Sequence, residues 1–127
     1  MHNGGHDKTL LSERDIERII LVKRHCERII KKTKELDLES FLMDLDLKEI
    51  VCFNLLQIGE LVKGLSKEFV VKYSQIPWKQ IAGMRDRLAH GYETIRYKDV
   101  WYVVEFEIIN LLNFCDEILN ENSFKDN

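Results

Sequence analysis

Helical periodicity is the feature that most constrains this chain, because apolar residues recur at three- and four-residue spacings along most of its length. No segment of useful length alternates apolar and polar residues as a half-buried β-strand would. The single proline, Pro77, leaves the helical pattern almost uninterrupted. The sequence therefore predicts an all-α fold, an up-and-down helical bundle of four main helices plus short helices.

Capping residues and apolar spacing place these helices. Ser12 with Asp15 resembles a capping box at the start of the first helix, and Asp46 with Glu49 resembles one at the start of the second. The residue before a proline avoids helical angles, which puts a boundary at Ile76. The predicted main helices are 12–36, 46–66, 77–90 and 97–120, with short helices at 39–43 and 67–73.

A chain of 127 residues is expected to form one domain that buries about two-thirds of the surface its unfolded chain exposes. We expect a mobile N-terminal tail over residues 1–11, a single helical domain over 12–120 and a frayed C-terminus over 121–127. No apolar run approaches the about 20 residues of a membrane span, and the polar N-terminus is unlike a signal peptide. These features predict a soluble, cytoplasmic protein without membrane contact.

The three cysteines, Cys26, Cys52 and Cys115, are widely separated, lie in apolar helical patterns and form no C-x-x-C pair. This pattern favours neither a disulfide framework nor a zinc site. It predicts small core residues in a reducing compartment. We expect no metal site and no cofactor.

The outer face of the first helix is basic. Between Glu13 and Lys34, eight lysines and arginines accompany four acidic residues, and His25 in this run is expected to face solvent. Such a face is either a solvated surface or a contact surface for RNA or an acidic protein. The net charge of −3 argues against a protein that binds polyanions over its whole surface, so any polyanion site must be local.

The segment 77–92 reads PWKQIAGMRDRLAHGY and predicts the third main helix. Pro77 suits a first turn because its missing N–H would be unpaired there, and Gly91 is the residue type that ends a helix. Arg85 and His90 would then lie about 140° apart around the helix and about 7.5 Å apart along it. They can meet at one site only if His90, as the capping residue, turns away from the helical path while the arginine side chain reaches along the last turn.

Positive charge concentrates between residues 77 and 98, where five basic residues and two acidic residues give a net charge of +3. This excess favours a phosphate ligand, which the planar guanidinium of arginine binds through two hydrogen bonds. Histidine suits proton transfer because its unperturbed pKa is closest to neutrality. One arginine and one histidine close together could cleave RNA without a metal: the imidazole takes the proton of a ribose 2′-OH, and the guanidinium stabilises the charge of the phosphorane.

A single histidine leaves this scheme without a general acid for the departing 5′ oxygen. A two-fold homodimer would supply it, because isologous contacts duplicate every residue across a shared cleft. A purely structural interpretation also stays open. In it, His90 interacts with the helix dipole, Arg85 pairs with Glu60 on the second helix, and Tyr92 packs over the last turn.

The series Arg85-Asp86-x-x-x-His90-x-Tyr92 resembles the R-x-x-x-x-H-x-Y motif of the HepT-like toxins in the HEPN superfamily. The similarity covers most of residues 12–119 and includes Asp15-Ile16, Ile58-Gly59-Glu60, Ile76-Pro77-Trp78, Ile81-Ala82-Gly83-Met84 and Val100-Trp101. The resemblance implies a HEPN-like helical-bundle dimer. It also implies a metal-independent endoribonuclease that acts as the toxin of a type VII-like toxin–antitoxin system, with an MntA-like nucleotidyltransferase as its antitoxin.

The same resemblance implies a role for each residue of the motif. Arg85 and His90 would be catalytic, Asp86 would support them, and the antitoxin would adenylylate Tyr92. We also expect the neighbouring Arg87 to support the catalytic pair. A nucleotide monophosphate on Tyr92 would bring negative charge and bulk into a pocket meant for an RNA phosphate. Cleavage would then stop.

The chain departs from the family at Arg96, where an acidic residue is common. Arg96 is expected either to strengthen RNA binding or to replace a helix cap. Together with Lys79 and Lys98, it is a candidate for RNA contact on charge grounds.

Two other functions remain open from the sequence. The chain could be a non-catalytic helical module whose basic first helix docks the nucleotidyltransferase or another acidic protein. A role in binding a small nucleotide is the weakest of the three hypotheses, because the sequence lacks a glycine-rich phosphate loop.

Overall fold

The computed structural model describes the backbone of residues 2–90 and 94–126 and the side chains of residues 13–89 and 94–122. The helices are α1 (His2–Thr33), α2 (Leu38–Met43), α3 (Leu45–Lys63), α4 (Lys67–Lys72), α5 (Trp78–Ala82), α6 (Met84–Leu88), α7 (Tyr97–Tyr102), a π-helical turn (Val103–Glu107) and α8 (Ile108–Asp126). Two short strands, β1 (Ala89–His90) and β2 (Thr94–Ile95), pair antiparallel. The predicted all-α fold is confirmed.

The core lies where α1 packs against α3 and α8. The residues that α1 contributes follow the predicted spacing, and none is more than 1% exposed: Ile19, Val22, Cys26 and Ile29. Burying a branched apolar side chain of this size contributes about 1.5–3 kcal/mol relative to leaving it in water. No helix among the described residues is both long enough and apolar enough to cross a membrane.

All three cysteines are buried and free, as the sequence predicts. Burial raises the pKa of the Cys52 thiol to about 11 and that of the Cys115 thiol to about 12. Burial also raises the pKa of Cys26, which lies near Cys115. At neutral pH these groups are therefore protonated thiols that pack as small apolar side chains.

The two predicted capping boxes are wrong. Asp44, not Asp46, caps α3, because its extended backbone lets its side chain accept a hydrogen bond of 3.0 Å from the Leu47 N–H. Asp15 does not cap its own helix. Its carboxylate is 3% exposed and accepts hydrogen bonds from the N–H and hydroxyl of Ser66, at 2.9 and 2.6 Å, which ties α1 to the start of α4.

The start of α1 also differs from the prediction. The helix begins at His2 rather than at Ser12, so the backbone of the N-terminal segment is helical. At the other end of the chain, α8 continues to Asp126. The mobility expected of both termini stays a prediction.

The continuous helix predicted over residues 77–90 is wrong. At Gly83 the backbone leaves the helical path (φ −87°, ψ 20°), and the Gly83 carbonyl then accepts a 3.0 Å hydrogen bond from Arg87 that starts α6. After Leu88 the chain becomes extended, since Ala89 pairs with Ile95 across the β1–β2 ladder. Helical periodicity is a local pattern, so it cannot indicate a strand that forms by pairing with residues beyond the next loop. Gly91, expected to end the helix, lies outside the described residues.

His25 does not face solvent as predicted. It is half-buried, and its Nδ1 lies 2.7 Å from the Oδ1 of Asn54, which is 4% exposed. Because an amide oxygen only accepts, Nδ1 carries the proton in this pair. The amide nitrogen of Asn54 donates to the Ile50 carbonyl at 2.8 Å, so the polar atoms at this contact of α1 with α3 are satisfied.

Candidate active site

Helix α6 presents Arg85 and Asp86 to solvent. Met84 and Leu88, four residues apart, anchor the helix in the core at 1% and 3% exposure. The positions directly after Met84 lie on other faces of the helix, so the side chains of Arg85 and Asp86 are exposed. Burial of one face therefore determines which residues of the motif solvent can reach.

The guanidinium of Arg85 makes no hydrogen bond or ion pair with any residue whose side chain the structure describes, 13–89 and 94–122. Glu60, its partner in the purely structural interpretation, instead pairs with Lys63 at 3.1 Å. A guanidinium never loses its charge at physiological pH. Within the described structure, Arg85 is thus a cation that can accept an anionic ligand.

The backbone of His90 lies in β1, opposite Thr94. Its predicted place as the cap of a helix is wrong, because α6 ends at Leu88 and Ala89 is the capping residue (φ −94°, ψ 134°). The turn away from the helical path, which Arg85 and His90 need in order to share a site, does occur at Ala89. The side chain of His90 lies outside the described residues, and so does the whole of Tyr92.

Arg87 is held by a partner that the sequence did not reveal. Its Nη1 and Nη2 donate to Oε1 and Oε2 of Glu107, at 3.0 and 2.7 Å. Such a two-pronged pair is the strongest geometry between arginine and a carboxylate. The hydrogen bonds that Arg87 donates to Glu107 raise the pKa of Arg87 above its usual value. Arg87 is half-buried, and its charge is neutralised within the protein.

Arg96 is likewise engaged inside the protein. Its Nη2 donates to the Arg87 carbonyl at 2.6 Å, and its Nε lies 3.0 Å from Oδ2 of Asp99. The backbone N–H of Arg96 donates to the Leu88 carbonyl at 3.0 Å. Arg96 therefore joins the end of α6 to the start of α7, which agrees with the alternative that it takes a place at a helix end.

The remaining basic candidates, Lys79 on α5 and Lys98 on α7, are exposed. Neither forms an ion pair with a described residue. The structure brings Arg87 and Arg96 into direct contact but joins neither lysine to them. RNA contact by Lys79 and Lys98 stays a prediction.

An apolar groove of about 260 Å³ runs between α5–α6 and the last helix. It is lined mainly by Pro77, Ile81, Met84, Val103, Leu111 and Phe114, with Gln80, Glu107, Ile108 and Asn110 completing the wall. Three exposed apolar side chains follow one another along this part of the chain: Tyr102 at the end of α7, Phe106 in the π-helical turn and Ile109 in α8, at 56%, 54% and 46% exposure. The sequence did not reveal this surface, because the spacing of these residues is that of an ordinary core stripe.

Glu107 is the site residue that the sequence could not identify. It is one of several acidic residues in the last predicted helix, and its partner Arg87 lies 20 residues away in the chain. The π-helical turn that contains Glu107 has no residue pattern of its own in this sequence. The signal for Glu107 is structural: π-helical turns are frequent at functional sites, and this one contains the partner of Arg87.

Comparison with known proteins places these features in a family. The sequence model described as "Ribonuclease HepT-like" matches residues 22–118. A protein of Caldanaerobacter subterraneus subsp. tengcongensis named "Putative RNase TTE0752" is 40% identical over 100 residues, which covers 79% of this chain and 89% of that protein. "Putative RNase MJ0127" of Methanocaldococcus jannaschii is 33% identical over 105 residues, covering 83% of this chain and 87% of the relative.

A third relative carries the family's own name. "Probable ribonuclease HepT" of Thermococcus cleftensis is 34% identical over 85 residues, which covers 67% of this chain and 77% of that protein. No solved structure matches the chain significantly. The matched residues include α6, the β1–β2 hairpin and the π-helical turn with Glu107. The chain belongs to the HepT-like ribonuclease family.

Proposed function

We propose that this protein is an endoribonuclease that cleaves RNA without a metal, with Arg85 binding the scissile phosphate and His90 transferring protons. The observation that carries the proposal is the exposed guanidinium of Arg85, which has no partner among the described residues although its two basic neighbours, Arg87 and Arg96, are both paired with carboxylates. A phosphate that approaches Arg85, Arg87 and Arg96 therefore meets one arginine, Arg85, that has no carboxylate partner among the described residues. Membership of a ribonuclease family supports RNA as the source of that phosphate.

The reaction follows from these two side chains. Neutral His90 of one copy takes the proton of the ribose 2′-OH, and the oxygen attacks the adjacent phosphorus. Arg85 stabilises the negative charge that grows on the phosphorane oxygens. The bond from phosphorus to the 5′ oxygen then breaks, and a protonated His90 supplies the proton of the leaving group. The products are a 2′,3′-cyclic phosphate and a free 5′-OH.

The second histidine comes from a second copy in this proposal. Apolar surface is exposed both in the groove beside α5–α6 and at Tyr102, Phe106 and Ile109, along the stretch that includes the π-helical turn held by Arg87. Exposed apolar surface of this kind is typical of protein contacts. A two-fold contact here would place two copies of the motif close together. We propose a homodimer through this surface.

Control by an antitoxin belongs to the same proposal. A nucleotidyltransferase of the MntA-like kind would transfer a nucleotide monophosphate to the Tyr92 hydroxyl and release pyrophosphate. The added phosphate carries negative charge, which competes with an RNA phosphate for Arg85. An intact-mass measurement of the protein, co-expressed with an MntA-like nucleotidyltransferase, tests this step. A mass that stays unchanged contradicts it.

Cleavage of RNA by the purified protein in EDTA tests the central claim. We expect an RNA oligonucleotide to be cut to a cyclic phosphate, and the same oligonucleotide with one 2′-deoxy residue at the cleavage position to stay intact. His90→Ala should abolish cleavage. Loss of activity on chelation, cutting of the 2′-deoxy substrate, or full activity of His90→Ala would each contradict the proposal.

A second candidate function is a non-catalytic module that binds an acidic protein through α1. The exposed basic residues of its outer face form no ion pair with a described residue: Arg14, Arg24, Arg28, Lys31 and Lys32. This function predicts a tight complex with the nucleotidyltransferase that is lost on reversing these charges, and no RNA cleavage by unmodified protein. The EDTA assay and a binding measurement separate it from the nuclease.

A further inference from the structure

We infer that Glu107 and Arg96 are positioning residues for His90, because they clamp the chain where it passes from α6 into β1. The inference rests on the proposed nuclease function and extends it to two residues that need not touch RNA. It also assigns Arg96 a role other than the RNA contact that its charge suggests.

Two sets of contacts form the clamp. On one side, the Glu107 carboxylate holds the Arg87 guanidinium through both oxygens, at 3.0 and 2.7 Å. On the other side, Arg96 donates to two successive carbonyls at the end of α6, from Nη2 to Arg87 at 2.6 Å and from its backbone N–H to Leu88 at 3.0 Å. The last carbonyls of a helix otherwise lack a partner. The chain that leads into His90 is thus fixed from the π-helical turn and from the start of α7.

The hairpin needs such support. Each of its strands has two residues, and an isolated two-stranded hairpin is marginally stable in water. Helix α6 has five residues and is too short to be stable alone. The position of the His90 backbone therefore depends on the side chains that hold the two ends of this segment.

Charge distinguishes positioning from RNA binding. Arg87 and Arg96 each have a carboxylate partner, Glu107 and Asp99, so their net contribution to the local field is small. An arginine that serves mainly to attract phosphate would be expected to lack such a partner. In the described structure Arg85 meets that condition, and Arg96 does not.

The kinetic experiment compares Glu107→Gln with a matched control, Asp116→Asn, on a short RNA with a single cleavage position. Asp116 lies in α8, directly beyond the π-helical turn, pairs with Lys23 at 2.8 Å and has a side chain that is 43% exposed, against 34% for Glu107. We expect Glu107→Gln to lower kcat by about ten- to a hundredfold with KM within about twofold, because the reacting groups are misplaced while phosphate binding is kept. Asp116→Asn should change neither constant.

Arg96→Lys provides a second arm, since it keeps the positive charge and loses the planar fork. Positioning predicts a lowered kcat for Arg96→Lys as well as for Arg96→Ala, with KM unchanged in both. RNA binding through charge predicts a raised KM for Arg96→Ala that Arg96→Lys restores. The charge exchange of Arg87→Glu with Glu107→Arg should recover part of the kcat that Glu107→Gln loses.

Amide hydrogen exchange tests the clamp independently of activity. Glu107→Gln and Arg96→Lys should each speed exchange of the Arg96 amide and of the β1–β2 ladder, with α1 and α3 unchanged, and Asp116→Asn should not. Unaltered exchange in both variants, or a rise in KM alone, overturns the inference. Wild-type protein that does not cleave RNA contradicts the proposed function, and the exchange pattern then still decides whether the clamp exists.

Discussion

Gly59 of α3 lies against Met84 of α6, so closely that a Cβ atom added to Gly59 would stand 3.2 Å from the Met84 Cβ and 3.2 Å from the Ile81 carbonyl oxygen. Both distances are shorter than ordinary van der Waals contact. The backbone of α3 therefore lies against the backbone of α5 and the base of the Met84 side chain, and Arg85 follows Met84 directly in the chain. The position of Arg85 depends on this contact.

Gly59→Ala should lower activity more than stability. Alanine is more favourable than glycine within a helix by up to about 1 kcal/mol. The overpacked contact costs about 1–3 kcal/mol, so the two effects partly cancel and the free energy of unfolding falls only modestly. Relief of the contact requires α5 and α6 to shift by a few tenths of an ångström, which moves Arg85. We expect kcat to fall about tenfold or more. Urea unfolding and single-turnover cleavage measure the two effects.

Gly64→Ala is the matched control for this glycine. A Cβ at Gly64 meets the guanidinium of Arg18, the far end of a flexible side chain that can move away. Gly64 caps α3 far from α6 in the chain, so cleavage should stay at the wild-type rate. Equal loss of activity in both variants would contradict the role assigned to the contact between α3 and α6.

Arg85→Ala should remove RNA cleavage and leave stability unchanged. The side chain is exposed and bonds to no described residue, so its loss removes no contact from the described fold. We expect kcat/KM of Arg85→Ala to be at least about a hundredfold lower than that of the wild type. The kcat/KM of Arg85→Lys should lie between those of the wild type and Arg85→Ala, because lysine keeps the charge without the two-pronged geometry. Lys67→Ala, which removes an equally exposed cation from α4, is the control. Melting curves of all three variants should superimpose on that of the wild type.

The sequence predicted the parts of this fold that depend on local pattern. Ile19, Cys26 and Ile29 are buried where the helical period put them, and Pro77 and Ile76 mark a true boundary before α5. It could not predict the break at Gly83, since the apolar spacing continues through it. It could not predict β1 either, because Ala89 becomes extended only through its pairing with Ile95.

Long-range polar contacts explain why the predicted roles of Asp15 and Arg87 differ from the structure. Asp15 looked like a local cap, yet its carboxylate binds Ser66, 51 residues away. Arg87 looked like one more cation of a phosphate site, yet it is paired with Glu107. In both cases the partner is chosen by helix packing, and no spacing along the chain encodes it. The exposure of Arg85 depends only on the local pattern of α6, in which the neighbouring Met84 is buried, and it agrees with the role that the sequence predicted for Arg85.

Buried Cys52 should make stability fall at alkaline pH. Burial raises its pKa from an ordinary value of 9.0 to about 11 in the folded protein. Below pH 9 the Cys52 thiol is protonated in both the folded and the unfolded protein, and its contribution to the free energy of unfolding is fully present. Between pH 9 and about 11 the unfolded chain loses the proton first, so the free energy of unfolding falls by up to about 1.4 kcal/mol per pH unit for this thiol.

Urea unfolding of the wild type and of Cys52→Ala at several pH values between 7 and 10.5 measures this effect. Subtracting the two curves removes the contributions of lysines and tyrosines. The wild type should lose more stability than Cys52→Ala as the pH rises above 9. Parallel curves would show that the thiol is not protected from ionisation in the folded state.

Phe106→Glu should convert the proposed dimer to a monomer. Phe106 is 54% exposed and packs against Tyr102, with the two rings tilted by 45° and their centroids 4.9 Å apart. In the proposed dimer, a carboxylate at this position would be buried against the apolar surface of the second copy without a polar partner. We expect sedimentation velocity to show a fall in mass from that of two chains to the 15.1 kDa of one chain. RNA cleavage should be lost with it, because the general acid of the proposed reaction comes from the second copy. Val71→Glu, at an apolar position of α4 that is 65% exposed, should stay dimeric and active. A wild-type protein that sediments as one chain would contradict the proposed dimer. A Phe106→Glu monomer that still cuts RNA would show that one copy is sufficient for catalysis.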